Sequence, residues 1–185
     1  MNSTVYLKKI ETPIGAMIAG ATEEGICLLE FENRKMLPLE LKQLSKELGA
    51  AILEGENQHF KQLEAELKDY FMSKLKKFKV PLALIGSEFQ KKVWRMLQTI
   101  PYGKTRSYKE QAIAIGNADA VRAVAHANGM NKISIIIPCH RVIGSNGQLV
   151  GYGGGLWRKK YLLGLEQNNG KQLKLIKLDG ERDEN

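Results

Sequence analysis

The chain has 185 residues, 43% of them hydrophobic, with two cysteines and a formal net charge of +8. That length allows one compact domain, or two small ones sharing an interface, with a core that needs no staples. No run approaches the roughly 18 to 20 uninterrupted apolar residues of a membrane span, so no membrane association is expected. The opening MNSTVYLKKIETP has no apolar h-region and no small-residue cleavage site, and Cys27 and Cys139 are too few for a disulfide framework. A cytoplasmic protein with free thiols is expected. The charge is unevenly spread: from Ser87 to Lys160 twelve basic residues face only Glu88, Glu110 and Asp119, a net of +9. The remaining 16 basic and 17 acidic residues nearly cancel. A stretch so basic is expected to meet phosphates.

In chain order, Val5–Ile10 and Ala16–Ala21 are apolar-rich runs separated by the turn Thr12-Pro-Ile-Gly15, and Ile26–Phe31 follows the turn Glu23-Glu-Gly25. These predict three antiparallel strands. Two amphipathic helices should follow, over Leu39–Leu48 and Gln58–Ser73, the second with Phe60, Leu63, Leu67 and Phe71 at helical spacing. Phe78–Leu84 looks extended, and Pro81 within it favours an edge strand. Ser87-Glu-Phe-Gln90 is a capping-box pattern opening a helix through Ile100, with Phe89, Val93, Trp94 and Leu97 on one face. A second capping box, Ser107-Tyr-Lys-Glu110, opens a helix that stops at Gly116. Asn117 should cap a third helix, Ala118 to Asn128, closed by Gly129. Two short helices parted by Gly116-Asn117 read as a helix-turn-helix.

Ile133–Ile137 reads as a buried strand stopped by Pro138, and Cys139-His140-Arg141-Val142 follows. A cysteine at a strand end beside a histidine has a fixed position and a base, which suits a nucleophile. Cys27, in a core strand, is expected to be structural. The two cysteines and His59, His126 and His140 show no ligand spacing, so no metal is expected.

The string Pro138-Cys-His-Arg-Val142 stands at fixed spacing from Ser107-Tyr108, Arg122-Ala123-Val124, Asn131, Tyr152-Gly-Gly-Gly155 and Glu166. In these residues the chain resembles the O6-alkylguanine-DNA alkyltransferases, also called methylated-DNA–protein-cysteine methyltransferases. The resemblance is strong from about Ser87 to Glu166 and weaker before it. It implies an α+β fold: a small ribonuclease-H-like sheet-and-helix domain over residues 1–85, then a helical DNA-binding and active-site domain over 86–168, with a polar tail over 169–185. It implies irreversible transfer of the alkyl group from O6-alkylguanine, and from O4-alkylthymine, in duplex DNA to Cys139, once per molecule, by a monomer without a cofactor.

The same resemblance supplies roles. Cys139 would accept the alkyl group, His140 would take the thiol proton through a water, Glu166 would orient His140, and Asn131 would tie the active-site turn together. A neutral thiol, with a pKa near about 8.5, needs such a base at neutral pH. Tyr108 would donate toward guanine N3. Arg122 would fill the space of a flipped nucleotide while Ala123, Ser107, Lys104 and Arg141 meet the DNA in the minor groove. Val142, Tyr152, Gly153 and Lys159 would line the base pocket. Many relatives carry a larger residue where Gly153 stands, which implies a roomier pocket that tolerates bulky adducts. Two other readings compete: a turning-over cysteine hydrolase and a DNA-binding module without catalysis. The lesion-binding relatives of this family carry tryptophan in place of the cysteine, which argues against the latter.

Overall fold

A computed structural model describes residues 4–167; the polar tail expected over 169–185 lies outside them. The chain opens with a sheet of order β3-β2-β1-β4. Strands β1 (Thr4–Ile10), β2 (Met17–Ala21) and β3 (Ile26–Phe31) form an antiparallel meander, as their alternation and turn residues predict. Helix α1 (Leu37–Leu48) then crosses over so that β4 (Ala51–Glu54) pairs parallel with β1. β4 escaped sequence reading because its four residues are exposed or half-buried and carry no alternation. The expected 78–84 strand is a single bridge: Ile26 N donates to Pro81 O and Ala83 N donates to Ile26 O, along the free edge of β3.

Helix α1 covers one sheet face with Leu37 and Leu44 against Val5, Cys27 and Leu28. The other face carries α2 (Phe60–Phe71), where Phe60, Leu63 and Leu67 turn inward as their spacing predicts, while Tyr70 takes the fourth buried place and the expected Phe71 is half-buried. The same core runs on without a break into the second half of the chain, reaching Trp94, Val124, Ile137 and Leu162. Burial of this shared core joins the two halves, so a group on the sheet sits against the helical part.

In that part α3 (Glu88–Leu97) and α4 (Tyr108–Ala114) both begin with complete capping boxes, on Ser87–Gln90 and Ser107–Glu110. Phe89 departs from the expected apolar face and is 40% exposed. Gly116, at φ +86, turns the chain after α4 as a glycine can. Helix α5 (Val121–Gly129) starts later than expected: Asn117 accepts from Asp119 N in a preceding turn, and Ala120 occupies the cap without a side-chain bond. Gln111 and Asn128 exchange two buried amide hydrogen bonds at 3.1 and 2.7 Å, locking α4 to α5 as a helix-turn-helix. Two-residue strands β5 (Arg106–Ser107) and β6 (Val142–Ile143) pair in parallel, and α6 (Leu156–Gln167) closes the described chain. Among the described residues no helix is long and apolar enough to cross a membrane.

Candidate active site

Residues 133–137 are buried as expected but do not form a strand. One bridge to β3, with Leu29 N donating to Lys132 O and Ser134 N to Leu29 O, gives way to tight turns. Ile135 lies at φ +73, a left-handed conformation that strains a β-branched residue by roughly 1–3 kcal/mol. Asn131 holds this path. Its Oδ1 accepts from Ile133 N at 3.0 Å, and its Nδ2 donates to Ile137 O at 2.9 Å and to Cys139 Sγ at 3.3 Å. Cys139 therefore opens a single 3-10 turn, Cys139–Arg141, rather than ending a strand.

Behind the thiol lies a buried relay. His140 Nε2 is 2.8 Å from Glu166 Oε1, so the carboxylate fixes the proton on Nε2 and leaves Nδ1 as the basic nitrogen. Nδ1 has no protein partner among the described residues. Glu166 also accepts from Arg141 Nε and Nη2 at 2.9 and 3.0 Å, Tyr70 hydroxyl at 2.7 Å and Gly103 N at 3.1 Å. Burial alone would raise its pKa, but the bonds from His140 and Arg141 outweigh that and hold it well below the carboxylate range. Burial, only partly opposed by Glu166, lowers the His140 pKa, so the imidazole is neutral near pH 7. Burial pushes the Cys139 thiol up to about 11, against the Asn131 hydrogen bond. At rest the sulfur is a thiol with a neutral base nearby.

Arg141 is thus a correction to the sequence reading. It is buried on Glu166, with Nη1 also donating to Ile100 O at 2.6 Å, and it offers nothing to a phosphate. Four of the twelve basic residues in the charged stretch are spent this way: Lys132 pairs with Glu47, Arg158 donates to Ile14 O and Gly154 O, and Lys159 is fully buried. The groups left at the surface include Lys104, Lys109 and Arg122, with Ala123 beside Arg122 on the exposed side of α5. The Ser107 hydroxyl caps α4 by accepting from Glu110 N.

The loop after β6 faces the thiol from the other side. Lys159 Nζ donates to Val150 O and Gly151 O at 2.6 and 3.0 Å, and the Tyr108 hydroxyl donates to Val150 O at 3.2 Å. Burial lowers the Lys159 pKa to about 8. Tyr152 lies edge-on to His140 with ring centroids 6.5 Å apart, and Val142 is buried beneath. Gly153 does not open the pocket. A Cβ there would meet the Arg34 guanidinium, 2.6 Å from Cζ, so Arg34 already fills the space expected to be vacant.

The structure thus brings Cys139, His140, Glu166 and Asn131 together, with Tyr108, Tyr152 and Lys159 around them. Lys104, Arg122 and Ala123 lie at the surface outside that cluster. Tyr70 and Arg34 escaped sequence reading: both come from the N-terminal half, and neither stands in a recognisable motif.

Two family models match in chain order. Residues 5–84 match the ribonuclease-like domain, and residues 88–168 the DNA-binding domain, of 6-O-methylguanine DNA methyltransferase. A methylated-DNA–protein-cysteine methyltransferase of Methanosarcina barkeri is 46% identical over 165 residues, spanning 89% of this chain and 99% of the relative. The crystal structure of the Mycobacterium tuberculosis O6-methylguanine methyltransferase superposes with a TM-score of 0.77 at 40% identity, over 90% of this chain and 94% of that one. The OGT of that organism in complex with DNA gives 0.76 at the same identity, over 89% and 94%. With an α+β fold, a ribonuclease-like first half and a helical DNA-binding second half, the chain belongs to the methylated-DNA–protein-cysteine methyltransferase family.

Proposed function

We propose that Cys139 takes the alkyl group of O6-alkylguanine in duplex DNA, and of O4-alkylthymine, in a single irreversible event. The observation that carries this reading is the half-buried Cys139 set beside a buried, neutral His140 whose tautomer is fixed by Glu166. Sulfur attacks the alkyl carbon in line, the carbon–O6 bond breaks, and the thiol proton passes through a water to His140 Nδ1. A thiol pushed up to about 11 does not ionise beforehand, so proton removal accompanies attack. The departing guanine takes a proton at N3 from Tyr108, whose hydroxyl exchanges the Val150 carbonyl for the base. The tyrosinate then regains a proton from solvent as the His140 imidazolium gives up the thiol proton, so that no net proton is gained or lost. Glu166, already ionised and charge-balanced by Arg141, stabilises the imidazolium. The product is a thioether, which water does not cleave.

The alkylated atom lies inside the duplex, so the nucleotide must leave the stack at a cost of a few kcal/mol. Arg122 at the start of exposed α5 fills the space left behind, the small Ala123 lets the helix sit close in the minor groove, and Lys104, Ser107 and Lys109 flank it toward the phosphates. Val142, Tyr152 and Lys159 line the base pocket. Every group of the relay comes from one chain, which suits a monomer, and both cysteines are free, which suits the cytoplasm.

The test is intact-protein mass after mixing with excess duplex bearing O6-methylguanine, with Cys139→Ser alongside. The reading expects one added methylene, mapped to Cys139 and missing from the variant. An unchanged mass with repaired DNA would replace it with a turning-over enzyme.

A further inference from the structure

One buried polar cluster lies outside the relay. Glu30 on β3 is fully buried, and its Oε1 receives Ser134 Oγ at 2.7 Å and Arg34 Nη1 at 2.9 Å. Arg34 Nη2 reaches Glu40 Oε1 on α1 at 2.9 Å and Gly129 O at the end of α5 at 3.0 Å. The same guanidinium closes the space in front of Gly153. One cation and two carboxylates of the N-terminal half therefore touch three segments around Cys139: the end of α5, the turn through Ser134 and the loop through Gly153.

Stability does not account for this cluster. Two buried carboxylates share one guanidinium, and the second oxygens of Glu30 and Glu40 have no protein partner among the described residues. Apolar side chains of similar volume would hold a sheet against a helix at lower desolvation cost. What the charges add is direction, because each hydrogen bond fixes one backbone segment at one distance. We propose that Glu30 and Arg34 are positioning residues for alkyl transfer, holding the Cys139 turn and the Gly153 loop at the separation that receives the base. The proposal rests on the alkyl-transfer reading above and assigns the N-terminal domain a part in it. The charged and titratable groups facing Glu30 are Arg34, Glu40, Tyr152, Arg158 and Cys139. The Glu30 carboxylate raises the thiol pKa, while Lys159 and Arg34 lower it.

The experiment compares wild type, Glu30→Gln and Ser134→Ala. Single-turnover transfer from an O6-methylguanine duplex is read by intact mass, beside the pH profile of Cys139 alkylation by iodoacetamide, affinity for undamaged duplex, and thermal melting. Glu30→Gln should transfer at least about tenfold more slowly, since small displacements of reacting groups cost that much. Its iodoacetamide profile should move to lower pH, because an anion has left the thiol's surroundings. Ser134→Ala keeps the ion pairs but frees the turn, and should lose several-fold in transfer. Affinity for undamaged duplex should stay at the wild-type value in both. Wild-type transfer in both variants, or losses no larger than the unfolded fraction, would overturn the proposal. An unmodified Cys139 in the wild type would instead remove the alkyl-transfer reading itself.

Discussion

Two buried carboxylate clusters flank Cys139, and they are built to opposite rules. On the helical side Glu166 stands against one guanidinium and accepts five hydrogen bonds, from Tyr70, Gly103, His140 and twice from Arg141. On the sheet side Glu30 and Glu40 divide one guanidinium between them, and each leaves an oxygen without a protein partner among the described residues. The outcome follows the number of donors per carboxylate. Glu166 is held well below the carboxylate range, whereas burial lifts Glu30 to about 7 despite Arg34 and Ser134. Burial alone does not set the state of an acid; the donors that the fold brings to it do. The first cluster keeps a permanent anion behind a neutral base, and the second holds backbone segments in place.

Breaking the well-supplied cluster should cost most. Glu166→Ala leaves Arg141 buried without its partner and His140 without an orienting acceptor. It should lose about 3–5 kcal/mol in urea unfolding, and single-turnover transfer should fall by about a hundredfold or more. A stable, active Glu166→Ala protein would remove the relay from the account.

Gly153→Ser sharpens the other side. The new side chain runs into Arg34, so overpacking of about 1–3 kcal/mol and slower transfer are expected. If the variant melted normally and merely changed its preference between methyl and benzyl adducts, the wall would be open and Arg34 would not form it. Tyr70→Phe removes one of five donors to an ionised carboxylate and should cost about 1.5–3 kcal/mol, with transfer kept within a few-fold because Arg141 and His140 still hold Glu166.

The smallest effect is a difference in pH dependence. Glu30 titrates near 7 folded and near about 4.3 unfolded, so the folded state takes up the proton and this group's contribution falls as pH rises through that window. Glu166 has the opposite sign: its contribution is present above the usual carboxylate pKa and fades as pH drops below it. Urea unfolding of wild type and Glu30→Gln should therefore shift in the variant's favour between about pH 5 and about pH 8. A constant gap across that range would mean that Glu30 is ionised throughout.

Much of the site was legible because it is local. Both capping boxes stand as written in Ser87–Gln90 and Ser107–Glu110, and Cys139 beside His140 needs no tertiary information to read as a nucleophile with a base. Glu166 was different: one acid near a helix end carries no local sign, and only its spacing from the other family residues singled it out. What depends on long-range partners was misread. Arg141 looked like a phosphate ligand until Glu166, 25 residues on, was seen to neutralise it. Ile133–Ile137 has the composition of a strand, but Asn131 and the single bridge to Leu29 bend it into turns. Gly153 looked like free space because nothing in the sequence says that Arg34 fills it. One signal was present and unused: Glu30 interrupts the apolar run Ile26–Phe31, and a charge inside a wholly buried strand announces a partner.

The central claim is that Cys139 is consumed. The most direct measurement titrates a fixed amount of protein with increasing O6-methylguanine duplex and counts repaired bases per protein molecule at completion. The account predicts a plateau at one, however long the incubation. A plateau that keeps climbing above one with time would contradict it and make the Cys139–His140–Glu166 relay that of a turning-over enzyme.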